Sequence, residues 1–229
     1  MTGELQLPFA RVAAARSALY ALFSEAFGYP RGELLEAIRA GVLAARFEEW
    51  LGKLEPPLPG PIDLHALAEV GGDGEGTLAT EYTRLFDAGT SASPCSLYGG
   101  LHVGPQMTTM EEVLRFYQHF GLTPTGKGGD TPDHLSAELE FLHVLAYGEA
   151  ELIDQGEDPS SYQLGRRDFI ARHPGRWIPM MRGKLEARRP MAFYAGLVDL
   201  LERCLAADLE QLETVHGPAS RSPRKGVPS

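Results

Sequence analysis

The sequence predicts an all-α fold, a single globular helical-bundle domain of about ten helices. Apolar residues recur at intervals of three and four through several long stretches, which is typical of amphipathic helices. No stretch alternates apolar and polar residues as a half-buried strand would, and no internal repeat is evident. The chain has 229 residues, of which 43% are hydrophobic and 23% charged, and this is enough to bury one substantial core.

The first half of the chain predicts one long helix followed by shorter ones. Gly28 and Pro30 supply the stop of the long helix, because a glycine suits the C-terminal turn and a proline cannot continue it. The proline-rich segment 56–61 excludes helix, since each proline removes an amide donor and fixes φ. The helical stretches of this half lie at 12–27, 34–38, 47–54, 62–68 and 77–86.

The most clearly marked helix start of the chain is at Thr131. Thr131 is expected to act as the N-cap, Pro132 to take the first helical position, and Asp133 to interact favourably with the helix dipole. Two long loops, 87–100 and 122–130, approach or flank this start, so we expect it to be accessible. The helical stretches of this half lie at 110–120, 131–147, 162–170, 177–185 and 191–212.

The charge of the chain is concentrated in its predicted domain. Residues 1–214 are expected to form the helical domain, and residues 215–229 a disordered basic tail with no helical periodicity. The formal net charge is −10, and taking away the three cations of the tail leaves −13 for the domain. An acidic domain argues against a nucleic-acid or anionic-membrane partner and is compatible with a basic peptide or a basic protein surface.

The cysteine content and the N-terminus indicate a cytoplasmic protein. Cys95 and Cys204 are too few for a disulfide framework and are expected to be thiols. The first residues lack the basic region and apolar run of an export signal, and no stretch is long and apolar enough to span a bilayer. The loop 122–130 could permit a domain swap, so a monomer and a domain-swapped dimer both stay open.

A metal site is the main alternative that the residues offer. His134 and Glu138 are four residues apart and share a helix face, a geometry that can hold a metal, so a helical metal-dependent hydrolase is an alternative function. Two ligands cannot close a zinc site, and nothing requires a third from His102, Cys95 or His143. An ordinary helix-surface pair is the simpler interpretation, and we predict neither metal nor cofactor.

The adjacent Arg166 and Arg167 imitate the paired arginines of a bacterial twin-arginine export signal. They lie deep in the chain, with no apolar run and cleavage site after them. We therefore expect an ordinary surface pair on an amphipathic helix.

Two segments resemble a known protein family. The chain has Glu81-Tyr82-Thr83-Arg84-Leu85-Phe86 followed by Pro94-Cys95-Ser96-Leu97-Tyr98, and then Pro132-Asp133-His134-Leu135 running into Glu138-Leu139-Glu140-Phe141-Leu142. In these motifs, in length and in helical organisation it resembles the cytoplasmic chaperones dedicated to molybdenum-containing oxidoreductases, of the TorD, DmsD and NarJ types. The motifs look closer to the chaperones of nitrate, selenate or hydrocarbon-oxidising enzymes than to the trimethylamine-oxide type.

The resemblance implies a binding protein that does no covalent chemistry. Such chaperones recognise the N-terminal leader of a catalytic subunit, often a twin-arginine signal, and hold the subunit until its molybdopterin cofactor is inserted. The family's Asp-His pair, implicated in leader recognition, is matched by Asp133 and His134. An acid can pair with a basic leader, and an apolar groove can take the leader's hydrophobic region. The residues expected to build or back this groove are Tyr82, Leu85, Phe86, Tyr98 and Tyr117.

One loop departs from the family pattern. Relatives commonly carry Tyr-Glu-Ser followed by an aromatic residue where this chain has Tyr98-Gly99-Gly100-Leu101-His102. The chain thus loses an acid and a hydroxyl there and gains backbone freedom. Loop contacts therefore cannot be carried over from the family at these positions.

Overall fold

The computed structural model describes residues 8–70, 76–86, 93–123 and 131–220, and within these ranges the architecture is all-α, as predicted. An isolated antiparallel bridge joins Tyr98 and His134. The helices are α1 (Pro8–Ala26), α2 (Gly32–Arg39), α3 (Val42–Leu51), α4 (Gly76–Leu85), α5 (Gly100–Val103), α6 (Gln106–His119), α7 (Leu135–Gln155), α8 (Ser160–Arg172), α9 (Pro174–Glu186) and α10 (Ala192–His216).

Several predicted boundaries differ from the observed ones. The stretch 62–68 forms only a 3₁₀ turn at His65–Ala68, and the short helix α5 was not predicted. Helix α10 continues to His216, so the predicted tail begins inside a helix, and residues 221–229 of that tail lie outside the described residues. Residues 87–92 and 124–130, which make up much of the two predicted loops, also lie outside them.

Helix α7 begins at Leu135, later than the predicted start at Pro132. Its N-cap is His134, whose Nδ1 accepts from the Ser136 amide at 3.3 Å, whereas Thr131 donates its hydroxyl to Asp133. The local capping preference was overridden because Pro132 and Asp133 lie in a turn and His134 is extended and pairs with another segment, around Tyr98. In that segment, the carbonyl of Leu97 accepts a hydrogen bond from the amide of Leu135 at 2.7 Å.

Helices α1 and α7 form the central pair of the bundle. The Oγ of Ser17 lies 2.8 Å from Nδ1 of His143, and the Oγ of Ser24 donates to the carbonyl of Ser136 at 3.2 Å. Because the contacts advance along α1 as they recede along α7, the two helices are antiparallel. Helix α8 packs on α7, α9 and α10. This arrangement fixes the start of α7 against the body of the bundle.

Arg166 in α8 is fully buried, so the prediction of a surface pair was wrong for this residue. Its guanidinium contacts Glu149 of α7 and lies 2.9 Å from Asp208 of α10. Asp208 also accepts from the hydroxyl of Tyr20 at 2.7 Å and lies 3.1 Å from Nε of Arg16, both on α1. A buried charge needs such partners. The partners lie on other helices, which is why helical spacing within α8 did not reveal them.

Both cysteines are buried, and the described helices include no candidate membrane span. Cys95 and Cys204 are both buried, free thiols, as predicted. Burial raises the pKa of the Cys95 thiol, which disfavours the thiolate needed for nucleophilic attack. Among the helices that the structure describes, none combines the length and the apolar character needed to cross a membrane.

Candidate functional site

Asp133 is fully buried, although the sequence predicted an accessible position. Its Oδ2 accepts from the Gly100 amide at 3.1 Å, and its Oδ1 accepts from the hydroxyl of Thr131. The carbonyl of Asp133 accepts from the Gly99 amide at 2.8 Å. The side chain thus faces inward, toward the segment Tyr98 to His102, which we call the 98–102 turn.

Three of the predicted binding residues, Tyr98, Asp133 and His134, meet at this turn, and a fourth, Tyr117, contacts the residue before Asp133. Tyr98 and His134 pair through the isolated bridge, and their rings meet edge to face with centroids 4.8 Å apart. The hydroxyl of Tyr117, on α6, donates to the carbonyl of Pro132 at 2.9 Å. Asp133 completes the group through its bonds to the turn. His134 and Tyr117 are nearly buried, whereas Tyr98 is half-buried.

Glu138 is a second fully buried acid beside Asp133. Its Oε2 accepts from Nε1 of Trp177, on α9, at 2.9 Å, while its Oε1 has no hydrogen-bond partner among the described residues. Burial, reinforced by the nearby charge of Asp133, raises the pKa of Glu138 well above its usual range, although the bond from Trp177 acts in the opposite direction. The neutral acid is therefore the form that this site favours.

The two glycines of the 98–102 turn allow it to lie directly against these acids. A Cβ on Gly99 would lie 2.7 Å from Nε1 of Trp177, and a Cβ on Gly100 would lie 2.9 Å from Oδ2 of Asp133 and 2.8 Å from Cα of Gln106. Gly99 has ordinary right-handed helical angles, with φ −58°. The glycines are therefore required by close packing, and the backbone freedom expected from the sequence is not used at Gly99.

The outer side of the turn combines apolar and aromatic groups. Leu101 is 42% exposed, and Met107, at the start of α6, is 65% exposed. The ring of His102 stacks on Trp177 with centroids 5.2 Å apart and planes 15° apart. Burial and then the nearby Lys184 lower the pKa of His102, although its bond to a backbone carbonyl acts in the opposite direction. This side of the turn thus combines an exposed apolar side chain and a half-buried imidazole with the exposed ammonium group of Lys184, which lies 3.1 Å from Nδ1 of His102.

The remaining predicted groove residues, Tyr82, Leu85 and Phe86, form a separate aromatic cluster around α4. All three are buried, which agrees with their helical spacing. The ring of Tyr82 meets that of the half-exposed Tyr29 edge to face, with centroids 5.4 Å apart. The amide of Cys95 donates to the carbonyl of Leu85 at 3.2 Å, which ties this cluster to the segment leading into the 98–102 turn.

The metal-site alternative has no support in this arrangement. His134 uses Nδ1 to cap α7, and Glu138 is bonded to Trp177. Within the described ranges, no group of three or more His, Cys, Asp or Glu side chains is arranged to hold a metal ion. Both residues therefore have structural roles within the bundle.

Sequence reasoning did not identify Trp177, or the support that Glu138 gives to the turn. One signal was present: Glu138 is three residues after Leu135 and four before Leu142, and thus lies on the apolar face of α7. An acid on a core face predicts a buried carboxyl with a specific partner. The identity of that partner could not be predicted, because Trp177 is 39 residues away on another helix.

Comparison with known proteins identifies the family. The sequence model described as "Nitrate reductase delta subunit" matches residues 42–182, which contain Tyr98, Asp133 and His134. The chain belongs to the nitrate reductase delta subunit family. This membership confirms the resemblance stated from the two motifs.

Individual proteins that are similar in sequence add to this result. The perchlorate reductase assembly chaperone protein of Dechloromonas aromatica (strain RCB) is 30% identical over 205 residues, covering 86% of this chain and 90% of the relative. The chlorate reductase assembly chaperone protein of Ideonella dechloratans is 38% identical over 116 residues, covering 50% and 60%. The selenate reductase assembly chaperone protein of Thauera selenatis is 36% identical over 114 residues, covering 48% and 58%.

Proposed function

We propose that this chain is a cytoplasmic assembly chaperone for the catalytic subunit of a molybdenum-containing oxidoreductase. The observation that carries the proposal is the alignment with the perchlorate reductase assembly chaperone protein over 90% of that relative's length. The similar proteins for chlorate and selenate reductases carry the same description. The chain acts by binding its client and catalyses no covalent step.

The proposed ligand is the N-terminal leader of that catalytic subunit, a twin-arginine signal or a remnant of one. The chaperone holds the subunit until its molybdopterin cofactor is inserted, which delays assembly or export. The leader binds at the surface around the 98–102 turn. The residues proposed to contact or support it are Asp133, His134, Tyr98 and Tyr117, and the separate cluster of Tyr82, Leu85 and Phe86 is proposed to support the segment that leads into the turn.

The chemistry of this surface supports a peptide ligand with basic and apolar parts. Leu101 on α5 and Met107 on α6 both expose apolar side chains, and the two helices pack on each other. Exposed apolar side chains can contact the hydrophobic part of a leader peptide. The excess negative charge of the chain attracts a basic segment during approach.

The proposal is tested by titrating the purified protein with a synthetic peptide. The peptide copies the N-terminal residues of the molybdenum oxidoreductase catalytic subunit encoded nearest to this chain's gene. We expect saturable binding, measured by calorimetry. Leu101→Ser should weaken it about threefold to tenfold, because the variant removes roughly 1 kcal/mol of apolar contact.

A matched control is available on α3. Val42 is 48% exposed, similar to Leu101, and lies on a different helix. Val42→Ser should leave the affinity unchanged. An equal loss in both variants would count against the proposed location, whereas no binding by the wild type would count against leader recognition itself.

The oligomeric state remains a prediction. A monomer and a dimer that exchanges elements through residues 122–130 are both compatible with the fold, and residues 124–130 lie outside the described ranges. Size-exclusion chromatography with light scattering distinguishes the two forms.

A further inference from the structure

We infer that Asp133 and Glu138 are positioning residues, which hold the 98–102 turn from its inner side, and that the leader contacts the outer side of that turn. This inference rests on the proposed function and specifies how the site works. It differs from the expectation drawn from the family resemblance, in which the acid of Asp133 pairs directly with a basic residue of the leader.

The surroundings of Asp133 argue against direct pairing. The residue is fully buried, and a salt bridge to a peptide requires an oxygen that the peptide can reach. Oδ2 accepts from the Gly100 amide at 3.1 Å, and Oδ1 accepts from Thr131. A leader arginine could reach this acid only if the turn first moved away. Asp133 therefore acts on the ligand through the backbone of the turn.

Glu138 supports the same turn from a different direction. Its Oε2 accepts from Trp177 at 2.9 Å, and the indole stacks on His102 at 5.2 Å. A Cβ built on Gly99 would lie 3.2 Å from Oε1 of Glu138. The acid thus lies under the first half of the turn, and the tryptophan that it orients supports the last residue.

The glycines make the position of the turn sensitive to these supports. Gly100 approaches Asp133 and Gln106 so closely that an added methyl group would be within 2.9 Å of both. A small displacement of the turn would therefore move Tyr98, Leu101 and His102 together. Binding residues are effective when they are held in the productive geometry by supporting hydrogen bonds.

The inference is tested by comparing Asp133→Asn with Asp133→Ala in the leader-peptide titration. Asparagine removes the charge but keeps an oxygen for the Gly100 amide, and Thr131 can accept from its amide group. We expect Asp133→Asn to stay within about threefold of the wild-type affinity, with the same dependence on salt. Asp133→Ala leaves a buried amide unpaired and should weaken binding about tenfold or more.

Two further variants test the positioning role without changing Asp133, and each is checked for correct folding. Glu138→Gln preserves an acceptor for Trp177 and should retain binding within about threefold. Gly100→Ala changes neither acid, but its methyl group would lie within 2.9 Å of Gln106 and of Oδ2 of Asp133 and would push the turn away from them, so it should weaken binding as much as Asp133→Ala does. Circular dichroism and thermal unfolding of each variant confirm that the bundle is still folded.

A measurement on the free protein separates this inference from the proposed function. Hydrogen exchange at the amides of Gly99 and Gly100 should be about tenfold faster in Asp133→Ala and unchanged in Asp133→Asn. Unchanged exchange in Asp133→Ala would overturn the positioning role whether or not a leader binds. If Asp133→Asn loses as much affinity as Asp133→Ala and flattens the salt dependence, Asp133 is a direct charge contact. If exchange behaves as expected but the wild type binds no leader, the proposed function fails while the positioning role stands.

Discussion

The protonation state of Glu138 is determined by its surroundings. On an exposed helix face it would be an ordinary carboxylate, but here it is fully buried and next to another acid. Its favoured neutral form still accepts a bond from Trp177 at 2.9 Å. The residue therefore provides shape and a hydrogen bond to the site, and it does not need its charge.

This assignment predicts that Glu138→Gln stabilises the protein in alkaline solution. The pKa of Glu138 is raised in the folded state, so the unfolded state releases its proton first as the pH rises. Wild-type stability should therefore be fully present below the unfolded pKa and decline above it, toward the folded pKa. A glutamine cannot ionise, so at pH 8 we expect Glu138→Gln to be more stable than the wild type.

Urea unfolding at pH 8 and at pH 4 measures this effect. The advantage of Glu138→Gln should become small at the lower pH, where the acid is mostly protonated in both states. Glu140→Gln, an exposed position on the same helix, serves as the control and should show no such pH-dependent gain. An advantage that is the same at both pH values would contradict the neutral-acid assignment.

The burial of Asp133 could not be predicted from the residues next to it in the sequence. An aspartate next to a helix start usually faces solvent and the helix dipole, and the prediction followed that preference. The amide that Asp133 accepts from belongs to Gly100, 33 residues away. The motif therefore marked the residue as a candidate for the binding site but could not say which way its side chain points.

At the level of helices, spacing predicted most elements, whereas their ends depended on contacts between segments. Helix α7 was predicted from its leucines, but its start moved to Leu135 because the preceding residues pair with the segment around Tyr98. The short helix α5 was missed because its residues, Gly100–Val103, carry little helical preference and are held by packing on α6 and α9.

The junction of α8 and α9 contains a buried histidine that should make these helices sensitive to acid. His173 packs between Phe169 and Phe116, with ring centroids 4.8 and 5.6 Å away, and both of its ring nitrogens lack hydrogen-bond partners among the described residues. Burial, together with Arg172 and Arg176, lowers the pKa of His173 to about 3. The folded protein therefore holds this ring neutral well below the pH at which an unfolded histidine is protonated.

We predict that His173→Phe protects the fold in acid. Because the folded pKa is depressed, the stabilisation is present above about pH 6.5 and is lost as the pH falls toward 3. At pH 4.5 the wild type should have lost about 2 to 3 kcal/mol through this residue, and the variant none. Urea unfolding of both proteins at pH 7.5 and 4.5 gives the comparison, and parallel losses in the two proteins would show that His173 is not the cause.

For the whole molecule, the buried network around Arg166 joins α1, α7, α8 and α10. Arg166 contacts Glu149 and lies 2.9 Å from Asp208, which in turn binds Tyr20 and Arg16. Removing one partner from such a network leaves uncompensated buried charge, which typically costs several kcal/mol. Composition and helical spacing correctly predicted a single acidic helical bundle, but they could not reveal this network, because its members meet only when the four helices are packed.

Arg166→Met should therefore lower the free energy of unfolding by about 3 to 5 kcal/mol. Arg46→Ala is the control: it removes an ion pair with Glu25 in which both side chains are about four-tenths exposed, with 43% and 41% of their surfaces accessible. Exposed pairs of this kind contribute about 1 kcal/mol or less. Equal losses in the two variants, measured by urea unfolding, would mean that the buried network does not hold the bundle together.

The central claim is that this member of the nitrate reductase delta subunit family recognises the leader of a molybdenum oxidoreductase at the 98–102 turn. The most direct test is calorimetric titration of the wild-type protein with the leader peptide and with a scrambled peptide of the same composition. We predict saturable binding of one leader peptide per chain and no binding of the scrambled one. Equal binding of both peptides, or of neither, would contradict the claim.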